Sequence, residues 1–188
     1  MNAMEKRSGG YLSKSLYIRG LQCHKSLYLH KHNPKLKDEA PAELGALFQT
    51  GYEVGEHAKK LFPNGVEIPY EGLSHEAQIA MTLNEFRKGS STIYEATFIY
   101  DDVFVRVDIL NRGPEGWEIY EVKSSTEVKD VHLEDTAIQY YVLAGVGLHA
   151  EEALCVVVHI HPFLFQFRKA AFEVSDLFSV MKRESPCC

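Results

Sequence analysis

Three residues of this chain have the types and spacing for chemistry on a phosphate group. Asp108 stands in the stretch FVRVDIL, and Glu121, Val122 and Lys123 follow in WEIYEVKSS. Side chains two apart on a strand share a face, so Glu121 and Lys123 project together while Val122 enters the opposite, apolar layer. If the connecting turn spans residues 111–116, Leu110 faces Trp117 and Asp108 faces Ile119. Glu121 then lies diagonally across from Asp108, about 7–8 Å away at the backbone, a gap that two carboxylates can close around a cation.

Two acids drawn together repel, so a metal ion or Lys123 must compensate them. Mg2+ or Mn2+ suits two hard carboxylates, with the Val122 backbone carbonyl as a further oxygen ligand, and magnesium keeps water molecules that are potential nucleophiles. Lys123 would orient or help to deprotonate such a water while the ion stabilises charge on the phosphate. This is the outline of phosphodiester hydrolysis. The alternative is an exposed cross-strand ion cluster worth about 1 kcal/mol at most.

These groups need elements to hold them. A helix over 41–62 places Leu44, Leu47, Phe48, Gly51, Val54, Gly55, Ala58 and Leu61 on one core-facing stripe. A short strand over Val66–Tyr70 follows the turn at Pro63-Asn64-Gly65. Ser74 caps a helix that runs to Lys88 with Ala77, Met81, Leu83 and Phe86 inward, and Gly89 ends it. There the period changes to two. Thr92–Tyr100, Val103–Leu110 and Trp117–Lys123 read as a meander, with turns at Asp101-Asp102 and 111–116. Asp130 caps a helix to about Gly145, and ALCVVVHI over 153–160 reads as a strand buried on both faces. Phe163, Phe165 and Phe167 then alternate ahead of a short helix capped by Ser175. Upstream, Ser13 to His32 reads as two short helices joined at Cys23 and stopped at Asn33-Pro34. The class is α/β, a mixed sheet flanked by helices.

In this order of elements the sequence resembles the PD-(D/E)xK nuclease superfamily, and within it the RecB-type exonucleases, including those associated with CRISPR loci. The resemblance covers about residues 12–160 and implies a restriction-endonuclease-like sheet with an αβββαβ core. It divides the chain into a basic N-terminal helical segment over 1–40, the nuclease-like core over 41–170, and a C-terminal helix with a cysteine-containing tail over 171–188. It implies a metal site at Asp108 and Glu121, catalysis assisted by Lys123, and a supporting acid at Glu95 on the preceding strand. Gln139 matches the glutamine that opens the family's Q-x-x-x-Y motif and would help to place DNA or Lys123. Leu143 stands at the motif tyrosine, with Tyr140 and Tyr141 nearby as supporting residues. The family's motif helix carries a metal-binding histidine four residues after a glycine. Here Gly51 is followed at that distance by Gly55, and the nearby candidates are Glu56 and His57, the latter roughly 200° around the helix from Gly55.

RecB-type relatives often hold an iron-sulfur cluster with one cysteine before the core and three after it. Cys23, Cys187 and Cys188 look like fragments of that arrangement, while Cys155 in an apolar strand reads as a small buried hydrophobe. A chain cut from a longer protein, with a fused nuclease or helicase region or a protein partner, would supply what is missing. His159-x-His161 puts two imidazoles on one strand face, without a third ligand at zinc-like spacing.

Composition bounds the alternatives. With 188 residues, 45% hydrophobic and 11% aromatic, the chain suits one domain rather than a disordered or fibrous protein. It has no apolar run of about 20 residues, which argues against a membrane span and for a cytoplasmic location. The net charge of -6 is uneven: residues 1–37 carry eight Lys/Arg against one Glu, and the remainder is strongly acidic. A basic entry segment on an acidic body can be a phosphate footprint or only a solvated helix face. The leading expectation is a metal-dependent DNA exonuclease acting on single- or double-stranded DNA in repair, recombination or defence. The runner-up is a catalytically weak or inactive nucleic-acid-binding scaffold on the same fold. A third is an interaction module unconnected to DNA, suggested by the acidic body and the Phe-rich tail.

Overall fold

Strand-forming residues dominate the middle of the chain, and they build the centre of the sheet that carries Asp108 and Glu121. The structure is a computed structural model that describes residues 10–37, 44–114, 116–125, 127, 129–148, 150–161 and 164–172, the last two stretches by their backbone. In chain order the elements are β1 (Leu12–Ser13), α1 (Lys14–Gln22), α2 (His24–His32), a short 3-10 turn (Pro34–Leu36), α3 (Leu44–Lys59), β2 (Val66–Glu67) and α4 (His75–Lys88). Then come β3 (Thr92–Tyr100), β4 (Val103–Arg112), β5 (Trp117–Ser124), α5 (Asp130–Gly145), β6 (Ala150–His161) and β7 (Leu164–Phe172).

The seven strands form one mixed sheet in the order β2-β3-β4-β5-β6-β7, with β1 on β4. β3, β4 and β5 are the antiparallel meander, and α5 is the crossover to β6, which runs parallel to β5. This is the expected α/β class, compatible with a restriction-endonuclease-like core. Asp101 and Asp102 have φ of 49° and 61°, the left-handed pair that a two-residue hairpin needs for its twist to match the strands.

The meander departs from expectation in register. Gly113 N–H donates to Gly116 C=O at 2.8 Å, which tightens the second turn, and Arg112 rather than Leu110 faces Trp117. Leu110 therefore faces Ile119 and Ile109 faces Tyr120. Pairing ends at Ile109↔Tyr120, so Asp108 and Glu121 are each the first residue beyond the last pair, one step past the ladder, instead of diagonal neighbours within it.

Two features of β4 make room for a site. Its outer edge is shared, with β1 paired along Val103 and Phe104 and β5 along Ile109 to Arg112. Between them β4 and β5 fork. Across β4, Glu95 has φ of 56° and drops out of the pairing between Tyr94↔Ile109 and Ala96↔Val107. The register is the same on both sides, so no residue is added; the left-handed backbone at Glu95 instead turns the side chains that follow to the other face. Tyr94 and Ile109 join Val54, Ala58 and Tyr120 in a core under α3, whereas Ala96 and Val107 join Ile93, Leu110, Ile119, Ile138 and Leu143 under α5.

The helices hold smaller corrections. On α3, Val54 and Ala58 are buried as expected, but Leu61 lies past the helix end and is exposed. On α4, Met81 and Leu83 are exposed, and the buried stripe is Gln78, Thr82 and Glu85. The reason is an open sheet edge. β2 ends at Glu67 instead of reaching Tyr70, since Pro69 has no N–H for a ladder, and β3 continues past it. Thr82 Oγ1 accepts the Thr97 N–H at 3.0 Å and donates to Gln78 C=O at 3.0 Å, so this face requires polar groups. Ser74 and Gly89 cap α4 as expected, with Gly89 at φ 81°. Asp130 is the first residue of α5 and not its cap, a position where its charge still favours the helix. The alternating phenylalanine stretch includes β7, antiparallel to β6. Phe163, Ser175, Cys187 and Cys188 lie outside the described residues. Among the described residues no helix is long and apolar enough to cross a membrane.

Candidate active site

At the fork, Asp108 turns its carboxylate toward β5 and accepts the Val122 N–H on Oδ2 at 2.7 Å. Glu121, 1% exposed, sits alongside and is held by two ammonium groups and an amide. Lys14 Nζ donates to its Oε1 and Oε2 at 2.8 and 2.9 Å, Lys123 Nζ lies 2.6 Å from Oε1, and Gln139 Nε2 donates to Oε2 at 2.6 Å. Lys123 also pairs with Asp135. Gln139 is completely buried, and its Nε2 donates to Asp135 C=O at 3.0 Å as well. Its Oε1 has no hydrogen-bond partner among the described residues.

The other side of the fork is different in character. A polar cavity of about 170 Å³ is lined there by Glu56, Lys59, Glu67, Glu95, Asp108 and Val122, with Gly51 and Gly55 of α3 forming part of its wall. Lys59 pairs with Glu56 at 2.7 Å and with Glu67 at 2.9 Å. Glu95 approaches Arg106 at 3.8 Å. Glycines on this face of α3 leave space where side chains would fill it.

The electrostatics follow from these contacts. Burial, and then repulsion from Glu121, push the Asp108 carboxyl up to about 7. Burial would also raise Glu121, but the Lys14 and Lys123 ammonium groups outweigh it and hold that carboxyl down at about 2. Burial opposes the charge on Lys123, and Glu121 and Asp135 more than offset it, so the Lys123 ammonium is held above its ordinary range. Burial raises Glu95, with Arg106 acting against it. His132 is lowered by burial and by Lys123.

The structure therefore brings Asp108, Glu121, Lys123 and Gln139 together, and Glu95 and Glu56 reach the same cavity as Asp108. His57 does not line that cavity; Lys60 lies 3.2 Å from its Nδ1. Tyr141 is turned to the far end of the hairpin, where its hydroxyl donates to Asp101 at 3.1 Å, and Tyr140 packs against the core under α5. Leu143 is wholly buried. Cys23 caps α2, its Sγ accepting the Ser26 N–H at 3.4 Å. Lys14, His132 and Asp135 are the neighbours that sequence reasoning misses. Asp135 had a signal, since it precedes Gln139 by four residues and so shares its helix face.

The donor set can be tested against a metal ion. Among the described residues no three His, Cys, Asp or Glu side chains are grouped to enclose one. Asp108, however, is a desolvated carboxyl with no ion pair among the described residues, coupled to a second carboxylate and lining a polar cavity. Asp108 lines that space for water while Glu121, coupled to it, does not reach the cavity wall; two such hard oxygen donors fit an ion of the magnesium kind, which keeps several waters, and do not fit a closed zinc site.

No family model matches the chain, and no curated protein matches its sequence. Solved structures do. One described as "Putative exonuclease" from Eubacterium rectale aligns with a TM-score of 0.51 at 14% identity, covering 95% of this chain and 82% of that one. Another, SSO0001, aligns with a TM-score of 0.40 at 12% identity, covering 96% of this chain and 76% of that one. At such identities the likeness to the first is one of fold.

Proposed function

We propose that this chain is a metal-dependent nuclease of the PD-(D/E)xK kind, hydrolysing phosphodiester bonds in DNA, with exonuclease action as the preferred form. The observation that carries the reading is the meeting of Asp108 and Glu121 at the fork of β4 and β5, with Lys123 on the same strand face as Glu121. The exonuclease description of a fold neighbour supports it.

Asp108 and Glu121, with the Val122 carbonyl oxygen, would hold Mg2+ or Mn2+, which supplies positive charge to the phosphate as the transition state forms. Lys123 is kept protonated by Glu121 and Asp135, so in this arrangement it donates a hydrogen bond to a phosphate oxygen or a water and does not act as a base. Gln139 and Asp135 position Glu121 and Lys123 from below. The basic α1, which carries Lys14 into the fork, and the basic α2 packed on α1 would supply positive charge for a phosphate backbone.

Cleavage of single- and double-stranded DNA with Mn2+, measured for the purified chain beside Glu121→Gln and Lys123→Ala, tests this. Loss of cleavage in both variants is expected. Equal cleavage by all three proteins would overturn the reading. The second reading, a DNA-binding scaffold without turnover, is favoured by the ammonium groups that saturate Glu121 and by Gly55 at the cavity wall. It predicts salt-sensitive DNA retention with no metal-dependent cleavage.

A further inference from the structure

Lys14 occupies a position that its local sequence disfavours. It is the first residue of α1, whose first turn holds no acid, and the exposed N–H groups there make a helix N-terminus a poor place for a cation. It is put there by the sheet. Leu12 and Ser13 pair with Val103 and Phe104, and the Ser13 hydroxyl accepts the Leu16 N–H at 3.4 Å. The chain therefore enters α1 along the open edge of β4, and Lys14 points into the fork.

Once there, the ammonium grips both oxygens of Glu121 and is also felt by Asp108 and Asp135. Its hydrogen bonds among the described residues go to Glu121 alone, whereas Lys123 has a second anchor in Asp135. Of the two lysines on Glu121, Lys123 is therefore kept in the site by Asp135 even if Glu121 is taken, and Lys14, held by Glu121 alone, is the one with nothing else to retain it when another cation arrives.

Resting on the metal-site reading above, we infer that Lys14 is the resident cation of this site, and that a divalent ion reaches Glu121 by exchange with the Lys14 ammonium. The tightly held carboxylate is thus the occupied form of a cation site, with a side chain as its occupant. A cation from the chain and one from solution compete for the same two oxygens, and each weakens the other.

Mn2+ titration by calorimetry, with free Mn2+ followed by electron paramagnetic resonance, tests the exchange without any nucleic acid. Lys14→Gln keeps a hydrogen-bond donor but drops the charge, and should bind Mn2+ about tenfold more tightly than the wild type. Lys14→Arg should bind no more tightly than the wild type. Equal or weaker binding by Lys14→Gln, with binding by the wild type intact, overturns the exchange and leaves the metal reading standing. If neither protein binds Mn2+, the metal reading falls and the exchange falls with it. A second measurement uses the unaltered chain. Acetylation of the Lys14 amine, read by mass spectrometry against exposed Lys35, should rise several-fold at saturating Mn2+. An unchanged Lys14 rate with Mn2+ bound overturns the inference.

Discussion

The two sides of the fork carry opposite charge problems. Toward α1 and α5, Glu121 is surrounded by Lys14, Lys123 and Gln139, and its negative charge is over-stabilised. Toward α3, Asp108 shares a cavity with Glu56, Glu67 and Glu95, while Lys59 is engaged by Glu56 and Glu67. Asp108 is left with a backbone N–H where Glu121 has two ammonium groups. The pair thus divides into one carboxylate that is fixed in place by direct ion pairs and one that has no ion pair among the described residues and feels Lys14 only from a distance. Neutralising the second by a cation from solution is the simplest way for the folded chain to keep both ionised.

The sharpest way to break this comparison is Glu121→Gln. It removes the fixed side, and cleavage should fall by about a thousandfold or more in a Mn2+-dependent DNA assay. Gln139→Leu weakens the same side without touching a charge. A buried carboxylate then loses a donor, and urea unfolding should show a loss of about 1–3 kcal/mol.

Asp108→Asn tests the other side through pH. The folded carboxyl titrates at about 7 against an ordinary 3.8, so the folded state holds this proton more tightly than the unfolded chain. The stabilisation is complete below about pH 4 and is lost as pH rises through about 7. Glu121 behaves in the opposite sense, with stability lost as pH falls from its ordinary 4.5 toward about 2. Asp108→Asn should therefore be more stable than the parent at pH 8, by about 1–2 kcal/mol, and show no such gain at pH 4. Urea melts at the two pH values measure the difference. Thr82→Val lies away from both sides. It leaves the Thr97 N–H without its acceptor, and should cost about 1 kcal/mol in stability while leaving the metal dependence of cleavage as it was.

Local sequence went far in announcing the site. The switch from helical to alternating pattern marks the meander, and two-residue spacing on a strand is enough to put Glu121 and Lys123 on one face. A buried stripe of Gln78, Thr82 and Glu85 was not readable in this way, because the pattern of an amphipathic helix assumes an apolar neighbour. The neighbour here is a sheet edge that needs hydrogen bonds. The register of Asp108 against Glu121 was also hidden, since it depends on how tightly the chain closes between Gly113 and Gly116.

What the sequence by itself determined is therefore the order of the central elements from α3 to β6, the α/β class and the identity of the acids and lysine on adjacent strands, but not β1 or β7. Each of these follows from residue types and spacings within a few turns or one hairpin. Only the tertiary structure decided that Lys14, 107 positions from Glu121 in the chain, shares its carboxylate, and that Asp108 faces a cavity rich in acids without an ion pair among the described residues. Both depend on β4 dividing its edge between β1 and β5. Where two strands part is set by the packing of distant elements, and no local pattern of side chains encodes it.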